Sequence, residues 1–208
     1  FGHMRLFHGL CAGTAKTALR LALVASCALW IPLYAADPPP ATPPAKPQLL
    51  AFGAQAPEIA GLILNGAPGT KLSQFRGRVV AVDFWATWCT PCLQSIPELD
   101  RVRTEIGEAG FGDRFEIVSV NVDDDIPKAR RFIEKHPVGY PVIGDPIGIA
   151  MQRYGPWKLP ATFLLTPEGK VHMIWLGYAD YFPGDIKKLA LEMLRAQGPP
   201  EQTGSDSN

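Results

Sequence analysis

The run Val79–Trp85 (VVAVDFW) is apolar at every position except Asp83 and is led by β-branched residues. A half-exposed strand alternates polar and apolar side chains, whereas an uninterrupted run of this kind requires cover on both faces. It marks a central strand of a layered fold. Asp83 is the informative exception. An ionised carboxylate inside a doubly covered strand is expensive to desolvate, so its pKa is expected to rise toward the range in which it exchanges protons. The alternative is an Asp hydrogen-bonded for architecture alone, or one placed at a strand edge.

Punctuation and periodicity supply the other elements. Thr90–Ile106 reads as a helix that begins beside Pro91 and carries Pro97 inside, where a missing backbone donor predicts a bend. Phe115–Val122 reads as a second strand, ended by Asp123-Asp124-Asp125, which is read as the cap of a helix over Ile126–His136. A short strand at Pro141–Ile143 and a helix near Ile147–Tyr154 follow. Thr162–Thr166, the turn Pro167-Glu168-Gly169-Lys170 and Val171–Leu176 read as an antiparallel hairpin, and Asp185–Ala196 as a closing helix. Strands alternating with helices, then a hairpin, then a helix, predict an α/β fold: a mixed central sheet with helices on both faces.

Composition bounds the partners. The chain has 208 residues, of which 47% are hydrophobic and 19% charged, enough apolar side chain for one core. Its formal net charge is zero, so the broad basic surface needed for sequence-independent nucleic-acid binding is absent, and no nucleic-acid partner is expected. Arg5, Lys16 and Arg20 are the charged residues before Asp37, which leaves the remainder mildly acidic. Phe1-Gly2-His3 ahead of Met4 reads as a cloning remnant.

Leu21–Ala36 is uncharged over sixteen residues, longer than a bare signal core and short of the ~20 that span a bilayer comfortably. It reads as an export segment. Cleavage near Ala35 or Ala36 and retention as an inner-membrane anchor both fit. Lipid attachment at Cys27 is a third option, opposed by the apolar residues that follow it. The expected domains are 1–36, remnant plus signal peptide or anchor; 37–52, a linker with six prolines between Asp37 and Pro47; 53–197, the working domain; and 198–208, a disordered tail.

Cys11 and Cys27 lie in or before the export segment, so the working domain holds only Cys89 and Cys92. A C-x-x-C loop is too short for its closure to stabilise a fold much, which argues against a structural staple. Structural zinc usually takes four ligands, and His136 and His172, the remaining downstream histidines, lack a paired spacing; no metal is expected. Cys89 follows a buried strand at the opening of a helix, where unpaired N–H groups and the positive dipole end lower a thiol pKa below ~8.5. It is therefore expected to be an exposed nucleophile. Cys92, one turn on and facing the same side, can attack a mixed disulfide on Cys89 and release the reduced partner. Pro91 in the first turn costs no helical hydrogen bond.

With Phe84-Trp85-Ala86-Thr87-Trp88-Cys89-Thr90-Pro91-Cys92, Pro97 and Leu159-Pro160-Ala161-Thr162, the chain resembles the thioredoxin superfamily over about residues 53–196. Within it, the chain resembles the exported, membrane-associated thiol-disulfide oxidoreductases of the TlpA and ResA type. Gly53, Ala56-Pro57, Phe75-Arg76-Gly77 and Pro167-Glu168-Gly169 fit the same pattern. The resemblance implies a thioredoxin-like fold with an N-terminal extension and a strand-helix insertion between Asp123 and Ile143. It implies a cis-proline at Pro160 in a loop that faces the cysteines and pairs with a substrate chain, with Leu159, Trp88 and Pro91 beside it. It also matches Asp83 to the buried aspartate that assists deprotonation of the second cysteine. Many relatives place Asn there and a Glu three residues after the second cysteine, where this chain has Ser95. Ser119 stands roughly where thioredoxins carry a lysine.

Core packing is the alternative for the tryptophans, dominant for Trp85 and even for Trp88. Tyr154, Trp157 and Lys158 precede the cis-proline loop and are candidate partner contacts, and Met151 reads as core. The expected activity is a periplasmic protein-disulfide reductase, catalysed by Cys89, Cys92 and Asp83, with no cofactor beyond the Cys89–Cys92 disulfide. Its expected partners are exported clients with disulfides, such as apocytochrome c or copper-site proteins, and a membrane thiol electron donor. Thr90-Pro91 lacks the His that stabilises the thiolate of strong oxidants, which tilts the direction toward reduction. The rivals are a general disulfide oxidant and a Cu(I)-binding chaperone using the same two thiolates. A peroxidase finds no matching motif, because the peroxidatic Cys sits alone with a Pro and Thr upstream.

Overall fold

The computed structural model describes residues 48–199. The stretch read as an export segment, most of the stretch read as a linker and residues 200–208 lie outside them. Among the described residues no helix is long and apolar enough to cross a membrane.

Six strands form one sheet in the order β1-β4-β3-β2-β5-β6: β1 Leu62–Ile63, β2 Val79–Trp85, β3 Phe115–Asn121, β4 Val142–Gly144, β5 Ala161–Leu165 and β6 Val171–Leu176. β2 pairs in parallel with β3, and β3 with β4, whereas β1–β4, β2–β5 and β5–β6 are antiparallel. All seven residues of β2 are buried, as the apolar run requires of the strand at the centre. The helices are α1 Thr90–Ile106, α2 Ile126–Lys135, α3 Ile149–Tyr154 and α4 Phe182–Ala196.

Strand alternation sends Val79, Ala81 and Trp85 to one layer, where they meet Leu99, Val102 and Ile106 of α1, Ala129 and Ile133 of α2, and Ile186, Ala190 and Leu194 of α4. Val80, Val82 and Phe84 go to the other layer with Ala150 and Tyr154 of α3 and Phe163 of β5. Phe84, Tyr154 and Phe163 pack ring against ring, with centroids 5.1 to 5.8 Å apart. Leu49 and Leu50, within the stretch read as linker, already lie against this second layer, and Leu50 N donates to Tyr154 O at 2.9 Å.

Several expectations shift. Val122 leaves β3 and donates to Trp85 O at 2.9 Å. Asp125 alone caps α2, its carboxylate accepting from Lys128 N at 2.9 Å, because Asp123 is turned elsewhere. α3 starts at Ile149, since Gly148 ahead of it sits at φ +69°, outside the right-handed helical region. α4 starts at Phe182, where Pro183 opens the first turn without wasting a donor. The inserted pair between β3 and α3 runs helix first and strand second, α2 then β4. β1 and a 3₁₀ turn at Leu72–Phe75 carried no readable period because each is too short. α1 continues through Pro97 to Ile106, and a π-type turn follows at Gly107–Phe111.

One ion pair joins α1 to the sheet. Arg103 donates from Nε to Glu116 at 2.6 Å and from Nη2 at 3.2 Å, and Glu116 is nearly buried on β3. The apolar contacts around it do most of the holding. Leu99 is fully buried between α1 and the sheet. Leu99→Ala is expected to lower the unfolding free energy by about 2–5 kcal/mol. Urea denaturation of the oxidised domain checks this as a lower midpoint at an unchanged slope.

Candidate active site

β2 ends at Trp85, and the chain turns through Ala86, Thr87 and Trp88 into α1. Cys89 occupies the N-cap position and its N–H donates to Ala86 O at 3.1 Å. The Cys89 carbonyl accepts from Cys92 N at 2.9 Å and Leu93 N at 3.3 Å, which places the second cysteine one turn on, behind the first. Pro91 lies in the first turn. The two cysteines are joined as a disulfide, with Cα atoms 5.2 Å apart. The expectation that Cys89 stands exposed is corrected. It is only 6% exposed where it lines a groove, and Cys92 is fully covered within the core layer behind it.

That groove, about 540 Å³, is lined by Trp88, Cys89, Pro91, Met151, Trp157, Lys158 and Leu159, with Thr90 and Pro156. Trp88 is 64% exposed and Trp157 74%. Trp85 instead packs in the core against Phe132, ring centroids 5.4 Å apart. The Leu159–Pro160 peptide is cis. Leu159 reaches the groove, whereas Pro160 is buried behind its wall with its carbonyl accepting from Gly177 N at 2.7 Å. Tyr154 does not reach it: its ring belongs to the core and its hydroxyl donates to Pro57 O at 2.9 Å. Met151, read as core, packs against the second layer and also lines the groove. His136 stacks on Phe132 at 4.6 Å, and His172 is exposed on β6.

Asp83 is completely buried, and alternation along β2 places its side chain on the face of Ala81 and Trp85, the layer that contains Cys92. Register sets Ser119 beside it on β3 and Thr162 on β5. Thr162 Oγ1 donates to Asp83 Oδ1 at 2.7 Å. Oδ2 has no hydrogen-bond partner among the described residues. Burial pushes the carboxyl up to about 7, against the pull of the Thr162 hydrogen bond toward the charged form. Burial also raises the Tyr140 phenol well above its ordinary range, with the negative charge of Asp83 adding to the effect. Ser95, where the resemblance sets a Glu, is buried and donates to Cys92 O at 3.0 Å.

Asp123 is the residue that sequence reasoning misplaced. Its carboxylate accepts from Thr87 N and Thr87 Oγ1, both at 2.8 Å, and from Asn121 Nδ2 at 2.7 Å. It thereby ties the turn before Cys89 to the end of β3. An acid directly after a strand parallel to β2 was the available signal, since that end of the sheet carries the cysteines.

A thioredoxin-type sheet, a disulfide at the N-terminus of α1 and a cis-proline loop beside it define a dithiol oxidoreductase domain. The chain belongs to the AhpC/TSA family, whose profile matches residues 44–174. It is 31% identical over 162 residues to the thiol-disulfide oxidoreductase ResA of Bacillus subtilis (strain 168), covering 78% of this chain and 83% of that protein. Over 128 residues it is 31% identical to ResA of Geobacillus thermodenitrificans, covering 62% of this chain and 71% of that protein. Among solved structures, the thioredoxin domain of a thiol-disulfide oxidoreductase from Bacteroides vulgatus is similar at a TM-score of 0.59 and 26% identity, covering 68% of this chain and 99% of that one. A secreted thiol-disulfide isomerase from Corynebacterium glutamicum is similar at 0.59 and 26%, covering 74% and 95%. The chain is a thiol-disulfide oxidoreductase of this family, and Cys89–Cys92 is its C-x-x-C pair.

The raised carboxyl has a signed consequence for stability. Between pH ~4 and ~7 the folded state keeps a proton on Asp83 that the unfolded state has released, so its contribution falls as pH rises and is fully lost above about 7. The total is roughly 4 kcal/mol. Asp83→Asn is expected to match the wild type near pH 4 and to exceed it by several kcal/mol at pH 8. Denaturant midpoints of both oxidised proteins across this range check it, and parallel curves would sink it.

Proposed function

We propose that the domain acts in the exported compartment as a reductase of disulfides in other exported proteins. The observation that carries this reading is the redox pair at a helix N-terminus, opening on a groove and backed by a buried carboxyl with one unpartnered oxygen. In the reduced enzyme the Cys89 thiolate attacks one sulfur of a client disulfide. A Cys89–client disulfide forms, and the other client sulfur leaves as a thiolate and takes a proton. Cys92 then loses its proton to Asp83 and attacks Cys89 Sγ. The Cys89–Cys92 bond forms, the second client thiolate leaves, and two electrons have passed to the client. A membrane thiol donor returns two electrons to the pair.

Asp83 suits the proton step because a carboxyl near 7 is ready at neutral pH both to accept and to return a proton. No bound cofactor is needed, since the reduced dithiol itself carries the two electrons. Export is supported by the uncharged segment Leu21–Ala36 and by similarity to a secreted relative. The client class is disulfides of exported proteins such as apocytochrome c or copper-site proteins. Thr90-Pro91 between the cysteines favours reduction over oxidation. A Cu(I) chaperone would need both sulfurs turned to one ion, and the full cover over Cys92 favours disulfide exchange.

Cys92→Ser is expected to accumulate a mixed disulfide through Cys89, seen by mass spectrometry after acid quenching, while Cys89→Ser accumulates none. Asp83→Asn should slow client release at least roughly tenfold at pH 7 by stopped-flow. Equilibration with glutathione tests direction: a potential below about −200 mV supports the reductase, and one near about −120 mV would reverse the assignment to an oxidant.

A further inference from the structure

The groove beside Cys89 carries one charged side chain, Lys158, amid Trp88, Trp157, Met151, Leu159 and two prolines. Lys158 has no carboxylate within ion-pair distance among the described residues. Its tip lies against a glycine. Gly177 sits at φ +86°, and a Cβ there would fall 2.7 Å from both Cε and Nζ of Lys158. The bare glycine therefore lets the ammonium lie close against the backbone of the β6–α4 turn. That turn is itself fixed to the cis-proline loop through Gly177 N and Pro160 O at 2.7 Å.

Two indoles that remain mostly exposed flank the same opening. Exposed apolar surface concentrated at a reactive site marks a docking surface, and aromatic rings supply the contact area. A cation beside them, with no acid among the described residues to neutralise it, selects by charge what the indoles hold by area.

We propose that Trp88, Trp157 and Lys158 set client specificity: the enzyme prefers a cysteine segment that carries an aromatic or large aliphatic side chain together with a carboxylate close to the disulfide. The proposal rests on the reductase reading and specifies its substrate class. The apolar side chain lies between the indoles, the carboxylate pairs with Lys158, and the electron transfer itself is unchanged.

The test uses reduced enzyme and three disulfide-bonded peptides that share a Phe beside the cysteine and differ only in a neighbouring Glu, Gln or Lys. The wild type is expected to reduce the Glu peptide about two- to fivefold faster in kcat/KM than the Gln peptide, with the Lys peptide slowest and the spread shrinking in high salt. Lys158→Glu, with folding verified by circular dichroism and thermal midpoint, should invert the order. Trp157→Ala should raise KM for all three peptides, and replacing the peptide Phe by Ser should abolish that difference. Equal rates across the peptides, or an order untouched by Lys158→Glu, overturn the specificity assignment while leaving the reductase intact. Failure of the wild type to reduce even hydroxyethyl disulfide overturns the reductase reading, and this proposal with it.

Discussion

The desolvation of β2 is the constraint on which the rest depends. A strand with every residue buried demands a helical layer on each side, which is why α1, α2 and α4 cover one face and α3 the other. The same burial leaves Asp83 short of solvation and keeps its proton in place to about neutrality. Stability and the role proposed for Asp83 therefore oppose each other at one carboxyl. A core built only for stability would hold Asn or an apolar residue there, and the strand keeps an acid at a cost of several kcal/mol above neutral pH.

What that strand delivers is position. Cys89 emerges where β2 ends and α1 begins, and the turn between them is pinned from the side by Asp123 at the end of β3. Asn121 holds the same carboxylate from below, and its own carbonyl accepts from Asp145 N, whose carboxylate caps α3 through Ile149 N and Met151 N. One chain of hydrogen bonds thus runs from the turn before Cys89 to the helix that places Met151 in the groove. The groove wall and Cys89 are set by shared supports.

Much of this was legible in the chain. The buried strand, the helix starting at Thr90, the hairpin, Asp83 and the cysteine pair all announce themselves through period, punctuation or an out-of-place charge. The remainder was hidden for physical reasons. β1 has two residues and offers no period. Asp123 and Asp125 look alike in sequence, yet only the second meets a helix N-terminus, because the first is drawn off by a turn 36 residues earlier. On α3 Tyr154 turns to the core and not to the groove, while Met151, packed against the core as its reading has it, reaches the groove as well. Short amphipathic helices give too few turns to say which side faces in. The exposure of Cys89 was overestimated because the groove walls come from segments distant in sequence.

The complete covering of Cys92 beneath a nearly covered Cys89 also bears on how the pair meets oxidants. Peroxide reaching the pair meets Cys89 first and converts it to a sulfenic acid. The thiol of Cys92, already within bonding reach, displaces water and closes the disulfide before further oxygen can add. The damage collapses into the Cys89–Cys92 disulfide, so the geometry that keeps the two sulfurs in reach also guards the enzyme against irreversible over-oxidation.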